Sequence, residues 1–225
     1  MALPLRLRNR LAGLVLAGFS DPGAREALRA LAAVCGAPGA ARSAVSRGAV
    51  PVDLLEWDGS DLRLRGSLAA HADELCARAR RAWGVLRDRE LAPADGTLAH
   101  AMAEAGALFD ARLYFEVHEH LEARWSLAAG RERIALQGLI QVAVAFEHLA
   151  NGNTAGARQL LAEGAAKLDG QRLAGADLDP FARGARACGE MLAGKRPAEA
   201  HFDWMVVPAF PISAGASCPD SERKA

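Results

Sequence analysis

The sequence predicts a mainly α protein: a compact five-helix bundle preceded by a small helical domain with one β-hairpin, in a winged-helix-like order. Three observations carry this. Alanine supplies 51 of the 225 residues and Arg outnumbers Lys 24 to 3, while aromatic residues make up only 5%; Ala and Arg are good helix formers. Apolar positions recur at three- and four-residue spacing along most of the chain, the mark of amphipathic helices. Period-two alternation stands out in one place, residues 54–65, around Asp58-Gly59.

Apolar residues reach 51%, enough for a core and too many for wholesale disorder. No apolar run approaches the ~18 residues of a membrane span, so no membrane partner is expected. Lys+Arg and Asp+Glu both total 27, but they are unevenly spread. Residues 1–90 carry 14 Arg against 10 acids, and residues 91–225 carry 13 bases against 17 acids. The change falls at the Pro- and Gly-bearing stretch 91–96, which reads as a linker. A domain over 1–90, an all-α domain over 97–204 and an irregular tail over 205–225 follow.

A first helix near 4–18 places Leu7, Leu11, Leu14 and Val15 on one side. Arg6, Arg8 and Arg10 before an apolar stretch faintly resemble a signal peptide, but helical spacing and the lack of a clear A-x-A site favour a structural helix. Asp21-Pro22 opens a second helix near 22–34, with Asp as N-cap and Pro at the first position. A weaker helix near 38–47 precedes the hairpin at 54–65, in which Leu55 and Trp57, then Leu62 and Leu64, alternate about the turn. A long helix near 67–89 follows, with Leu68, His71, Leu75 and Ala79 on one side. Three helices and then a hairpin is the order of a winged helix-turn-helix. In that reading Arg42 and Arg47 face the major groove, while Arg63 and Arg65 on the wing meet phosphates. The simpler reading is a small helical domain with a solvated Arg-rich surface.

Cys35, Cys76, Cys188 and Cys218 are far apart and form no C-x-x-C pair. They read as buried or incidental thiols in a reducing cytoplasm rather than a disulfide framework or thiolate zinc site. His71, His100 and His201 read as isolated structural or surface residues. Trp57, Trp83, Trp125 and Trp204 read as core anchors whose indole N–H groups find local acceptors.

The second domain holds the chemistry. Thr97 caps a leading helix through Leu98, Met102, Ala105 and Phe109. On the next helix, at about 100° per residue, His118 and Glu122 share a face flanked by Tyr114, Phe115 and Trp125, with Glu119 at its edge and Glu116 in the same run. On the helix after that, Arg133, Gln137, Gln141 and His148 form a second polar stripe among Ile134, Ile140 and Val144. A connection of about five residues makes the two an antiparallel αα-hairpin. Counted outward from the loop, Glu122 comes level with Gln137 and His118 with Gln141. Two polar stripes in one apolar seam must bond each other, bind a ligand or face a cleft. Further on, Asn151-Gly152 stops this helix and Asn153 or Thr154 caps the next, cap duty explaining Gly152-Asn-Thr-Ala-Gly156 more simply than anion binding. Asp179-Pro180 opens a last helix with Phe181, Ala185, Cys188 and Leu192 inward.

The run Tyr114-Phe-Glu-x-His-Glu-x-Leu-Glu-x-x-Trp125, then Leu136-Gln-Gly-Leu-Ile-Gln-x-Ala143, His148 and Gly152-Asn-x-x-Gly-Ala157 resembles the prokaryotic family called domain of unknown function 309, over about 97–193. The resemblance implies a compact all-α domain with these polar residues as its hallmark, and no settled activity. The chain has Phe109-Asp-Ala-Arg112 where the family usually has Phe-Asn-x-Gly; residues 1–90 lie outside the resemblance.

Two functional classes remain. One is a cytoplasmic bacterial binding or regulatory module with a buried Glu/His/Gln network, nucleic-acid-associated through its first domain, either as a monomer or as a homo-oligomer, with no cofactor. The alternative is a metal-dependent, hydrolase-like enzyme working at Glu116, His118, Glu119 and Glu122, with His118, Glu119 and Glu122 as divalent-metal ligands. His118-Glu-x-x-Glu122 differs from the zinc-protease H-E-x-x-H in its second ligand, and the Glu-x-x-His of di-iron bundles is missing. Solvent access to His118 and Glu122 discriminates the two: a closed network favours the first, an open cleft the second.

Overall fold

The computed structural model describes residues 3–37, 50–91, 96–193 and 202–212. It is mainly helical, with eight α-helices and two short antiparallel hairpins among the described residues. No described helix is long and apolar enough to cross a membrane. The chain divides into two compact units, Met1–Ala94 with Ala111–Leu113, and Asp95–Asp110 with Tyr114–Ala225.

In the first unit, α1 (Leu5–Ala17) buries Leu7, Leu11, Leu14 and Val15. The Asp21 carboxylate accepts the Gly23 N–H at 2.8 Å and Pro22 opens α2 (Pro22–Val34), a local stop-and-start that needs no tertiary help. β1 (Leu55–Asp58) pairs with β2 (Asp61–Leu64), Leu55 opposite Leu64 and Trp57 opposite Leu62. Gly59 takes a positive φ of 61° in the turn, which a side chain would strain. The expected long helix is shorter and later: Gly66–His71 is a 3₁₀ stretch and α3 spans Ala72–Leu86. Gly66-Ser67 is poor helix material, and no side chain caps α3 at His71.

The cysteine expectation is corrected here. Cys35, at the end of α2, and Cys76, in the second turn of α3, form a disulfide. The same junction is tied by the Arg80 guanidinium donating to the Cys35 carbonyl at 2.9 Å. Cys188 is a buried free thiol, as read, its pKa pushed up to about 11 by burial; Cys218 lies outside the described residues. The helix expected near 38–47, with Arg42 and Arg47, also lies outside them.

In the second unit, α4 (Leu98–Asp110) begins where the Thr97 hydroxyl accepts the His100 N–H at 3.1 Å. α5 (Tyr114–Trp125) and α6 (Gly130–Ala150) form the αα-hairpin; α7 (Thr154–Leu168) packs against α6, and α8 (Asp179–Leu192) against α7. Gly152 carries a φ of 80° where α6 stops, and the Asn153 side chain accepts the Gly156 N–H at 3.0 Å to start α7. The α6–α7 contact is backbone-close: a Cβ on Gly164 would lie 2.8 Å from the Val142 side chain and 2.9 Å from the Gly138 carbonyl. The second hairpin, β3 (Arg172–Leu173) with β4 (Ala176–Asp177), was not expected.

Phe109 is the hub of the core, its ring centroid 5.1 Å from Tyr114, 5.6 Å from Phe181 and 5.3 Å from Phe210. Phe210 lies beyond residue 204, so the start of the irregular tail is core material. The four tryptophans do not share one role. Trp83 is buried, but its indole N–H and that of Trp125 have no acceptor among the described residues. Trp57 and Trp204 are only half-buried.

The open face of α5 and the buried carboxylate behind it

The polar residues of α5 differ in how far they are covered. Glu116 is wholly buried. His118, Glu119 and Glu122 sit on the solvent side, their side chains 24%, 35% and 53% exposed. His118 Nδ1 lies 3.2 Å from Glu119 Oε1, and His118 Nε2 lies 3.4 Å from Glu122 Oε2. Single ligand atoms from the three converge within 4.8 Å of one another. The His118 ring stands 5.9 Å from that of the buried Phe115, the two tilted at 52°.

The single buried network is therefore corrected, because the α6 stripe turns elsewhere. The Arg133 guanidinium stacks 3.9 Å from the Trp125 ring and donates to the Trp125 carbonyl at 2.8 Å. Gln141 donates to Glu163 on α7 at 3.0 Å, leaving its own carbonyl oxygen buried with no partner among the described residues. His148 accepts from the Asn153 amide across the α6–α7 turn. Gln137 is half-buried. A stripe on a wheel fixes direction only; α7, lying against α6, offers nearer partners than α5 does.

The buried polar centre is one the sequence reading missed. Glu104 on α4, only 8% exposed, holds His100 Nε2 at 3.1 Å through Oε1 and His120 Nε2 at 3.1 Å through Oε2. Burial alone would raise the Glu104 carboxyl, but the hydrogen bonds and charges of His120 and His100 outweigh it and hold it below the usual range. His100 is thus not isolated, a correction. The signal available was the His100–Glu104 spacing of four on an apolar helix. His71, half-buried at the start of α3, has a ring Nδ1 without a partner among the described residues. His201 lies outside them.

On the hairpin, Arg63 is taken up by Asp58 at 2.6 Å and by Glu56, directly across the ladder, at 3.4 Å. Arg65 falls past the end of β2 and donates to the Val52 carbonyl at 2.9 Å. The two arginines do not form one free cationic pair.

Fold and site together define a mainly helical protein whose second unit carries an open histidine–carboxylate face. Residues 102–160, from α4 into α7, match the family model described as Domain of unknown function (DUF309). No curated protein and no solved structure matches the chain. The matched segment contains the whole α5 face and the αα-hairpin. It also includes Arg112, where the family usually has glycine. Arg112 adopts a φ of 57°, the left-handed region that glycine enters without cost, so the turn between α4 and α5 retains the glycine conformation without the glycine.

Proposed function

We propose that the second unit is a binding module for a small cationic ligand, held on the solvent side of α5 by His118, Glu119 and Glu122. The observation that carries this reading is the convergence of two carboxylates and an imidazole, within 4.8 Å, on an exposed face. Among the described residues neither carboxylate pairs with an Arg or Lys; their ion-pair partner is His118. Two carboxylates beside a single imidazole and, among the described residues, no Arg or Lys make a local negative potential that an arriving cation relieves.

The open arrangement meets one requirement of the enzymatic alternative, solvent access, but supports binding better than turnover. Both ring nitrogens of His118 already face carboxylates, so neither is turned to a substrate. Glu116 is wholly buried and is not among the converging ligand atoms. A nucleic-acid role for the first unit gains nothing from Arg63 and Arg65, both engaged within their own hairpin region.

An NMR titration of the full chain tests the reading, with methylguanidinium, spermidine and divalent cations as probes and phosphate and acetate as controls. Shifts concentrated in residues 115–126 are expected with at least one cation class and absent with the anions. Shifts elsewhere only, or with anions alone, refute it.

A further inference from the structure

We infer that the cation is a divalent transition-metal ion of the zinc or manganese kind, bound by His118 Nε2 and the Glu122 carboxylate and oriented by Glu119. This rests on the cation-binding reading above and names its ligand. The geometry has three parts. First, His118 Nε2 and Glu122 Oε2 are 3.4 Å apart. An ion bonded to both at ~2.0–2.1 Å with a near-tetrahedral angle would hold them about that far apart. The four-residue spacing on a regular helix puts both on one face one turn apart, so coordination needs side-chain adjustment and no backbone movement.

Second, Glu119 Oε1 stands 3.2 Å from the other ring nitrogen, Nδ1. Metal-bound histidines characteristically donate their second N–H to a carboxylate, which fixes the tautomer and raises the basicity of the ligating nitrogen. With an ion on Nε2, this contact would place the ring proton on Nδ1, towards Glu119. Glu119 is a positioning residue in this scheme. Third, the buried Phe115 ring, tilted at 52° with its centroid 5.9 Å from that of the imidazole, lowers the local dielectric on one side of His118, strengthening the interaction with a charge.

The mixed nitrogen and carboxylate set selects the ion. Magnesium and calcium prefer all-oxygen shells, whereas imidazole with carboxylate suits zinc, manganese and iron. With Glu122 half-exposed, the remaining coordination positions face outward and are open to water or a second ligand.

The experiment uses the full chain, freed of metal by chelation, with zinc, manganese and magnesium salts in isothermal titration calorimetry and cobalt(II) in visible spectroscopy. One equivalent of zinc should bind, magnesium at least tenfold more weakly. His118→Gln and Glu122→Gln should each weaken zinc by tenfold or more while leaving circular dichroism unchanged and lowering the metal-free melting point by no more than a few degrees, since the pair they break is partly exposed. Long-range proton–nitrogen NMR of the His118 ring should show the Nδ1–H tautomer. Glu119→Ala should move that signature towards Nε2–H and weaken zinc by ~10–100-fold. No zinc or manganese binding, equal affinity for magnesium, or binding indifferent to His118→Gln and Glu122→Gln each overturn the assignment. So does a His118 tautomer unmoved by Glu119→Ala. Loss of metal binding while methylguanidinium still shifts residues 115–126 would overturn the metal and leave the cation-binding reading standing.

Discussion

Glu104 and Glu122 each lie four residues from a histidine on the same helix, and their removal should have very different consequences. Glu104 is 8% exposed and bonds two imidazoles, each at 3.1 Å. Truncating one partner of a buried, hydrogen-bonded charged group costs ~3–5 kcal/mol. His100 and His120 keep side-chain exposures of 27% and 18%, so water can partly replace the lost oxygens, and Glu104→Ala should fall near ~3 kcal/mol. Glu122 is 53% exposed, and an exposed pair of that kind contributes ~0.2–1 kcal/mol. One kcal/mol moves the melting point of a domain this size by ~3–6 °C. Glu104→Ala should therefore lower the Tm of the second unit by about 10–15 °C and Glu122→Ala by no more than a few degrees. Differential scanning calorimetry with a chelator present, so that any metal at Glu122 does not add to the difference, measures both. Comparable losses, or a larger one at Glu122, would refute the placement of the buried carboxylate.

Four further outcomes follow from particular contacts. Gly164→Ala, whose Cβ meets the Gly138 carbonyl at 2.9 Å, should destabilise because overpacking at ~1–3 kcal/mol exceeds the ~1 kcal/mol propensity gain, whereas Gly189→Ala, whose nearest contact is 3.5 Å, should stabilise by up to ~1 kcal/mol; urea denaturation gives both signs. Arg112→Gly should be more stable than Arg112→Ala by ~1 kcal/mol, since only glycine relieves the φ of 57°; equal midpoints would contradict the strain. Reducing the Cys35–Cys76 bond, which spans a sequence separation of 41, should cost the first unit ~4 kcal/mol on the loop-entropy model, and peptide mapping after alkylation without reductant should find adducts on neither Cys35 nor Cys76. Because Glu104 titrates lower in the folded chain, its stabilisation is present above the unfolded value near 4.5 and is lost as pH falls through the depressed folded value; Glu104→Gln should flatten that acid slope, and an unchanged slope would assign it to other groups.

Much of the fold was legible because its signals are local. The Asp21-Pro22, Thr97 and Asn153 starts hold as caps with their hydrogen bonds in place, and the hairpin between 54 and 65 keeps the register its alternation implied. The features that escaped depend on distance through space or on very short elements. Each strand of the second hairpin has two residues, too few to show a period. Cys35 and Cys76 meet because α2 and α3 pack together, and cysteine spacing alone says nothing of that. Phe210 looked like part of a tail because no periodic segment surrounds it, yet it packs on Phe109 and Phe181.

The candidate site shows the same boundary between local and non-local information. Helical angles placed His118 and Glu122 on one face, and they are on one face; the angles could not tell whether another helix covers it. Gln141 and His148 had the right direction for α5 but nearer partners in Glu163 and Asn153. The His100–Glu104 pair has the same four-residue spacing as His118–Glu122, yet His120 from α5 closes over the first and solvent meets the second. A largely buried histidine–carboxylate set that draws side chains from α4 and α5 onto one carboxylate ties the two helices together. An exposed set whose two carboxylates meet His118 and, among the described residues, no Arg or Lys is held by its own helix, and a cation can reach it without unfolding anything. That difference in cover, rather than any difference in residue type, makes Glu104 architectural and makes Glu122 the side chain on which a ligand should be sought.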